Sequence, residues 1–313
     1  MQFDESFKNL IPVTIVLLPL VLGLFYGLGS LVCARYLKFE LSSILFFCAS
    51  ISVVDYVRAK VLTGFPWNLW AYSWSWFTEI IQVLNPIGVF AFNLLAITLY
   101  CSPAILFCKK SKYNFLFLTI CSALFLTNYL YGNYTINNNR IETQSYLDKK
   151  TFIDIKIVSP NFDLKYNLSE RETFERIKKL IRYSDADKSK KTLFIWPEGA
   201  LSGKYFFEIK KYEKLIKDNF SEDHLIVFGI NTLDEKENKF FNSLVIIDHN
   251  FNKKFQYDKI KLVPFGEFLP FHTTLEKIGL KKITEGFGSF SNGNNNKSFS
   301  YDNTNIIPLI CYE

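Results

Sequence analysis

LIPVTIVLLPLVLGLFYGLGSLV, residues 10–32, lies inside an uncharged run between Lys8 and Arg35. About 20 consecutive apolar residues are enough for a helix to cross the hydrocarbon core of a bilayer. The stretch therefore predicts a transmembrane helix over residues 10–33. A secretory signal peptide is the competing interpretation, but MQFDESFKNL at the N-terminus offers neither a clear basic start nor a small-residue cleavage site.

Three later apolar runs predict three more spans. The second run ends at Asp55 and Arg58, so it crosses a membrane only if these side chains face protein or an interface. Residues 1–132 are therefore expected to form a polytopic helical bundle. The predicted spans cover residues 10–33, 41–58, 80–106 and 114–131, and a polar linker is expected over 133–150.

Basic residues between the spans indicate an orientation. Arg35 and Lys38 lie between the first two spans, and three lysines, Lys109, Lys110 and Lys112, lie between the last two. Loops that stay in the cytoplasm carry an excess of lysine and arginine. Both loops are therefore expected in the cytoplasm, and the long segment after residue 132 is expected on the opposite side of the membrane.

Four of the five tryptophans fall within GFPWNLWAYSWSW, residues 64–76. Indole rings favour the headgroup layer of a membrane. The segment therefore predicts an interfacial or re-entrant piece, with Trp67, Trp70 and Trp74 as candidates to face lipid beside an active site. An aromatic belt that only anchors the bundle explains the same pattern equally well.

Composition excludes several classes of protein. Of 313 residues, 49% are hydrophobic, 17% are aromatic and 21% are charged, which argues against a wholly soluble protein and against a mainly disordered one. The chain carries 36 Lys+Arg and 30 Asp+Glu. Because no strongly basic region stands out, we expect no nucleic-acid partner.

From about residue 151 the apolar pattern becomes that of a folded α/β domain. IDIKIV at 153–158, TLFIW at 192–196 and LIVFGI at 225–230 are short β-rich runs, while residues 169–184 have helix-like apolar spacing. Strands that alternate with helices at this spacing predict an α/β or layered α+β domain over 151–313.

The chemistry-bearing residues of this domain fall in three strings. The first string, LICYE at 309–313, contains Cys311, the single cysteine of residues 151–313. Cys311 therefore has no disulfide partner within this domain, and no Cys/His spacing supports a metal site. Two other strings, IWPEGAL at 195–201 and YDKIKLVPFGEFLPF at 257–271, contribute Glu198 and Lys259 near strand ends. A carboxylate, an ammonium and a thiol that meet in one pocket supply a base, a cationic stabiliser and a nucleophile.

These three strings resemble the Glu-Lys-Cys signatures of the carbon–nitrogen hydrolase, or nitrilase, superfamily. PFGE and CYE behind several spans and GFPW resemble the apolipoprotein N-acyltransferase family in particular. The resemblance implies an α-helical transmembrane bundle followed by a nitrilase-like αββα sandwich. It places the protein in the bacterial inner membrane, with the sandwich on the periplasmic side, and implies no metal or organic cofactor.

The resemblance also implies an activity. The acyl chain at the sn-1 position of a phospholipid is transferred to the cysteine as a thioester, and then to the α-amine of the diacylglyceryl-cysteine of an apolipoprotein. Residue by residue, Cys311 matches the nucleophile, Glu198 the general base and Lys259 the oxyanion support. Supporting positions match Glu267, Tyr312 and Glu313, and Tyr166 stands where the family tends to have a tryptophan near its lipid site.

Several of these matches have simpler interpretations. Glu198 could lie in a solvated turn, and Glu267 could form a structural ion pair. The superfamily pattern Tyr-x-Lys-x-His-Leu overlays YDKIKL with Lys261 at the histidine position, which leaves the register between Lys259 and Lys261 open.

The sequence leaves two rival functions open. One is a membrane-anchored nitrilase-type amidase that passes the thioester to water, and the other is an inactive fragment that acts as a scaffold. The resemblance further implies that the sandwich continues beyond Cys311 and that more spans precede GFPW, so the chain is expected to be a fragment of the family's full architecture.

Overall fold

A computed structural model describes most of the chain, and the described residues divide into two units, Asn9–Lys150 and one formed mainly by Thr151–Glu313. The described residues are 11–61, 64, 66–147, 153–163, 165, 168–264, 266–268, 289–294, 298–302, 304–311 and 313. Tyr166 and Tyr312, two of the predicted site residues, lie outside them.

The first unit is a helical bundle. Its helices are α1 (Ile11–Ala34), α2 (Leu41–Arg58), the short α3 (Thr78–Ile81), α4 (Leu84–Cys101) and α5 (Lys112–Leu147), with 3-10 turns over Trp70–Trp74 and Ser102–Phe107. Among the described helices, four are long and apolar enough to cross a membrane: Ile15–Ala34, Leu41–Arg58, Leu84–Phe107 and Lys112–Ser145. The predicted helical bundle is confirmed, and its composition marks the chain as a membrane protein.

A buried polar cluster ties α1, α2 and α4 together. The Asp55 carboxylate is 0% exposed and accepts hydrogen bonds from Tyr26 Oη at 2.5 Å, Arg58 Nη2 at 3.2 Å and Asn93 Nδ2 at 2.8 Å. Charged side chains inside a bundle need such partners, because burial removes them from water. Asp55 and Arg58 therefore face protein, which is the condition on which the second span depends.

The same cluster holds the tryptophan-rich segment that follows α2. Arg58 Nη1 donates to the Trp67 carbonyl at 2.7 Å, and the Ala71 amide donates to Asn93 Oδ1 at 3.1 Å. Two backbone groups of a segment without a regular hydrogen-bond ladder are thereby satisfied by buried side chains. The polar cluster thus fixes the conformation of residues 67–71 as well as the helix packing.

Helices α3 and α5 approach each other at Gly132. A Cβ atom built on Gly132 would lie 1.8 Å from the Glu79 carbonyl oxygen, and Asn128 Nδ2 donates to the Ile80 carbonyl at 3.1 Å. Backbone this close leaves room for a hydrogen atom but not for a methyl group. Small residues at helix contacts allow this close approach in membrane bundles.

We expect Gly132→Ala to destabilise the bundle by about 1–3 kcal/mol, because the new methyl group must push α3 away from α5. Thermal unfolding in detergent measures the effect. Gly27→Ala in α1 is the matched control, since a Cβ there meets no atom within 4 Å. Equal unfolding midpoints for the two variants would contradict the close approach.

The predicted linker begins as helix. Residues 133–147, expected to form part of a polar linker, continue α5 through Leu147. No proline or glycine follows Gly132 within this stretch, so nothing in the backbone stops the helix once it is nucleated by the apolar part.

The second unit is built on a mixed five-stranded sheet in the order β1-β2-β3-β4-β5. The first three strands are parallel, and the last two are joined to β3 as antiparallel hairpins. Its strands are β1 (Asp154–Ile157), β2 (Thr192–Ile195), β3 (His224–Asp234), β4 (Lys239–Asp248) and β5 (Lys253–Asp258), and its helices are α6 (Glu170–Ser184), α7 (Phe206–Ile209) and α8 (Glu213–Asn219).

Each face of the sheet has its own apolar core. On β3, Ile226, Phe228 and Ile230 point to the face covered by the helices, where α6 contributes Ile177 and Leu180. Leu225 and Val227 point to the opposite face, which packs against the hairpin β6 (Phe299–Tyr301) and β7 (Thr304–Ile306). Side chains of a strand alternate between faces, so a strand buried on both sides needs the continuous apolar run that LIVFGI supplies. The expected α/β domain is confirmed.

Candidate active site

One cavity of about 850 Å³ brings together Glu198, Lys259 and Cys311. Glu198 follows β2 and Lys259 follows β5. β2 is parallel to β3, and two antiparallel steps return β5 to the direction of β3, so both strands end at the same edge of the sheet. Glu198 and Lys259 therefore line one cavity because of strand direction, although they are 61 positions apart in sequence.

Glu198 lies in an exposed turn directly after a buried anchor. The Trp196 ring is 4% exposed, and its Nε1 donates to Ser184 Oγ at 3.0 Å, which fixes the end of β2 against α6. Gly199 follows with φ of 70°, a conformation that costs glycine little. The carboxylate thus projects into the cavity from a turn whose start is rigid.

Lys259 is 1% exposed, which is rare for a lysine. Its Nζ lies 3.1 Å from Glu267 Oε1 and 3.0 Å from Glu267 Oε2. Glu267 also accepts from Asn242 Nδ2 at 2.7 Å and from the Val263 amide at 2.7 Å. Burying a cationic side chain costs free energy, and an opposite charge in hydrogen-bond contact offsets part of that cost. Lys261 is exposed and does not line the cavity among the described residues, so the geometry favours Lys259 over Lys261.

Cys311 presents an exposed thiol from a left-handed turn. Its φ is 58°, a region that residues with a Cβ rarely occupy. Such strain persists only where the surroundings over-determine the backbone, and it concentrates at functional sites. The five other cysteines belong to the helical bundle, where they are buried or half-buried, so Cys311 is the exposed cysteine among those that the structure describes.

The Glu313 carboxylate joins the segment of Cys311 to that of Lys259. Its Oε1 accepts from the Ile260 and Lys261 amides at 2.8 and 2.9 Å. Its Oε2 accepts from Tyr257 Oη at 3.0 Å and from the Ile310 amide at 3.1 Å. Four donors thus converge on one carboxylate, which links the two segments by hydrogen bonds.

Two positions of this site were given no role from the sequence. Asn242 lies in β4 and belongs to no string of catalytic type, whereas Tyr257, near the end of β5, opens the string at 257–271 but was not singled out there. The one signal for Asn242 was the polar pair Asn242-Ser243 inside the apolar run FFNSLVIID. The partners of both side chains depend on the register of two hairpins, which the residues alone do not reveal.

The charged lining of the cavity is mainly acidic. Among the described residues, Glu198, Glu208 and Glu267 are the carboxylates that line the cavity, and Lys259 is the ammonium. Within the part of the chain that the structure describes, no group of three or more His, Cys, Asp or Glu side chains could hold a metal ion.

An aromatic wall, formed by Tyr205, Phe207 and Phe240, lines another part of the cavity. The Tyr205 ring stacks on Phe207 with centroids 5.6 Å apart, and it meets Phe240 edge-on at 5.6 Å. Burial, together with the nearby Glu208 carboxylate, raises the pKa of Tyr205. Phe207 remains 61% exposed, so the wall offers apolar surface to a ligand.

The three candidate tryptophans do not share one environment. Trp67 and Trp70 are 56% and 49% exposed, as a lipid-facing role requires. Trp74 differs, because its ring stacks on Tyr100 at 5.7 Å and packs against Phe125 at the same distance. Trp74 therefore has ring partners within the bundle, and its lipid-facing role stays a prediction.

Comparisons of the amino-acid sequence with known families and proteins agree on one group of relatives. The family model "Apolipoprotein N-acyltransferase N-terminal domain" matches residues 2–102. The apolipoprotein N-acyltransferase of Brucella melitensis biotype 1 is 27% identical over 321 residues, covering 99% of this chain and 58% of the relative. That of Rhodopseudomonas palustris is 26% identical over 328 residues, covering 99% and 59%. The chain thus spans less than two thirds of the length of these relatives.

Solved structures give a much weaker likeness. The NitN amidase from Neterenkonia matches with a TM-score of 0.34 and 12% identity, over 51% of this chain and 58% of that one. A glutamine-dependent NAD+ synthetase from Acinetobacter baumannii matches with a TM-score of 0.30 and 17% identity, over 42% and 24%. Scores this low do not establish a shared fold.

Proposed function

We propose that the chain belongs to the apolipoprotein N-acyltransferase family, whose N-terminal domain model matches residues 2–102 and whose members from Brucella melitensis and Rhodopseudomonas palustris align with 99% of the chain, and that it carries out the acyl transfer of lipoprotein maturation. In this proposal residues 151–313 form the catalytic domain and residues 1–132 the membrane bundle. An acyl chain passes from a phospholipid to Cys311, and then to the N-terminal amine of the diacylglyceryl-cysteine of an apolipoprotein. The observation that carries the proposal is the shared cavity of Glu198, Lys259 and Cys311.

In the first half-reaction, Glu198 takes the proton of the Cys311 thiol, and the sulfur attacks the ester carbonyl of the phospholipid. A base is needed because an ordinary cysteine thiol, with a pKa of about 8.5, is mostly protonated at neutral pH. Lys259 donates to the tetrahedral oxyanion. The ester carbon–oxygen bond then breaks, and the leaving lysophospholipid takes the proton from Glu198.

In the second half-reaction, the amine of the apolipoprotein attacks the thioester carbonyl. Glu198 accepts a proton from the attacking nitrogen, and Lys259 again stabilises the oxyanion. The carbon–sulfur bond breaks, an amide forms, and Cys311 recovers its proton from Glu198. Neither half-reaction consumes water. A site that excludes water therefore favours transfer of the acyl group to the amine over hydrolysis of the thioester.

The aromatic wall supports a lipid substrate over a small polar one. Tyr205, Phe207 and Phe240 offer apolar surface in the cavity that also contains Cys311. An acyl chain buried against such a wall gains about 0.8 kcal/mol for each methylene group removed from water. A charged wall would give a lipid no such gain.

We also propose the bacterial inner membrane as the location, with the catalytic domain on the periplasmic side. Lys109 and Lys110 precede α5 and Lys112 begins it, and Arg35 and Lys38 lie between α1 and α2. The excess of basic residues in cytoplasmic loops favours this orientation. Protease protection of right-side-out vesicles tests it, because cleavage within residues 151–313 requires exposure of that domain at the outer surface.

The experiment that tests the function looks for the covalent intermediate. The membrane-embedded protein is incubated with phospholipid, and an acyl mass on the Cys311 peptide, released by hydroxylamine, is the expected result. Cys311→Ser should form no thioester and no N-acylated lipoprotein. N-acylation by Cys311→Ser would overturn the proposal, and release of free fatty acid in preference to amide would favour a nitrilase-type amidase instead.

A further inference from the structure

We propose that Tyr257 is a positioning residue for the reaction at Cys311, and that it acts through Glu313. The inference rests on the function proposed above. The Tyr257 side chain is 2% exposed, and its hydroxyl donates to Glu313 Oε2 at 3.0 Å. Tyr257 is absent from the described lining of the cavity, so its effect on the chemistry is indirect.

Glu313 supports the strained turn that contains Cys311. Cys311 has a φ of 58°, and this conformation needs support from its surroundings. Glu313 Oε2 provides it by accepting from the amide of Ile310, the residue before Cys311, at 3.1 Å. The Tyr257 hydroxyl binds the same oxygen atom, so it fixes the acceptor that holds the turn.

Glu313 also connects the segment of the nucleophile to that of the cation. Glu313 Oε1 accepts from the Ile260 and Lys261 amides, which directly follow Lys259. The carboxylate is therefore a bridge between the two reacting segments. Reacting groups must be held to within about 0.5 Å of their productive geometry, so a bridge that rotates lowers reactivity before it lowers stability.

The hydroxyl keeps its proton under all relevant conditions. Burial, together with the hydrogen bond to the Glu313 carboxylate, raises the pKa of Tyr257 to about 12. A tyrosine with this pKa remains a donor throughout the pH range in which a membrane enzyme works. Ionisation of Tyr257 therefore does not break the bridge in this range.

Tyr257→Phe removes this hydroxyl and little else. We measure the rate at which iodoacetamide alkylates Cys311, quantified on the Cys311 peptide because the bundle contains other cysteines, and the single-turnover rate of thioester formation from phospholipid vesicles. Both rates should fall by about 10-fold to 100-fold, the effect of losing a hydrogen bond to a charged group. The phospholipid concentration for half-maximal rate should not change, because Tyr257 lies outside the cavity lining.

Tyr212→Phe is the matched control, since it also loses a hydroxyl donor, in this case one that binds the Glu170 carbonyl at 3.2 Å. It should alkylate and acylate as the wild type does. Wild-type alkylation of Cys311 in Tyr257→Phe would overturn the inference. Slow alkylation in Tyr257→Phe, in a protein whose wild type forms no thioester, would uphold the positioning role and refute the proposed function.

A double-variant cycle separates this route from a general loss of structure. Glu313→Gln should slow alkylation, and Tyr257→Phe added to it should slow it no further, because both changes break the same bridge. Multiplying effects would show that the hydroxyl acts by another route and would refute the inference. If Tyr257→Phe does not accumulate, Glu313→Gln decides alone, because alkylation at the wild-type rate would refute the bridge.

Discussion

Lys259→Met should reduce the single-turnover rate of thioester formation by about 100-fold to 1,000-fold, the usual effect of removing one oxyanion donor. Methionine has similar length and no charge, so the change removes the cation with little change in volume. Lys259 is buried at 1% exposure and lines the cavity with Cys311, so no other ammonium among the described lining residues replaces it. The rate of lysophospholipid release after mixing with vesicles measures the effect.

The fold should tolerate this change better than the chemistry does. Glu267 keeps two donors after the change, Asn242 Nδ2 and the Val263 amide. Removing one of several hydrogen-bond partners of a partly exposed carboxylate costs about 1–3 kcal/mol. Lys259→Met with Glu267→Gln removes both charges and should recover part of that stability while remaining inactive, which separates folding from catalysis.

Lys261→Met is the control for this prediction, because Lys261 is exposed and lies two residues away. It should retain the wild-type rate. Loss of activity in Lys261→Met with activity retained in Lys259→Met would mean that the register of YDKIKL is shifted by two residues. The assignment of the cation would then be wrong, although the cavity would remain.

The spans and the three strings that contain the candidate site residues could be recognised in the sequence, because each consists of contiguous residues. A bilayer admits only helices of sufficient apolar length, so an uncharged run reveals a span without knowledge of its neighbours. Likewise, residues that follow β-rich runs collect at one edge of a sheet whose strands are parallel. Glu198 and Lys259 lie at the same edge although β4 is antiparallel to β3 and β5 is antiparallel to β4. Two reversals of direction make β5 run the same way as β3.

The partners of these residues could not be predicted, because they depend on three-dimensional register. Tyr257 reaches Glu313 across 56 positions of sequence, and Asn242 reaches Glu267 across 25. Trp74 shows the same limit in the bundle, where its spacing indicated the membrane surface but Tyr100 of α4 supplies a stacking partner. Long-range pairs of this kind leave no periodic trace in a single sequence.

Asp55→Ala should destabilise the helical bundle by about 3–5 kcal/mol, because it removes the carboxylate from beside a buried guanidinium. Asp55 is 0% exposed and accepts from Tyr26, Arg58 and Asn93, so three donors lose an acceptor at once. The free energy of unfolding of native proteins is only about 5–15 kcal/mol, so a loss of this size should unfold a large part of the population. Thermal unfolding in detergent and the yield of folded protein measure the effect.

Glu40→Ala provides the control for this last prediction, since Glu40 is exposed and its side chain makes no capping hydrogen bond to α2. It should change stability by less than about 0.5 kcal/mol. Asp55→Leu with Arg58→Leu tests the cause, because replacing a whole buried ion pair by apolar residues is often neutral. If this pair folds well while residues 67–71 become sensitive to protease, the charges serve to hold the Trp67 carbonyl more than to pack the helices. Equal stability of Asp55→Ala and Glu40→Ala would contradict the buried cluster itself.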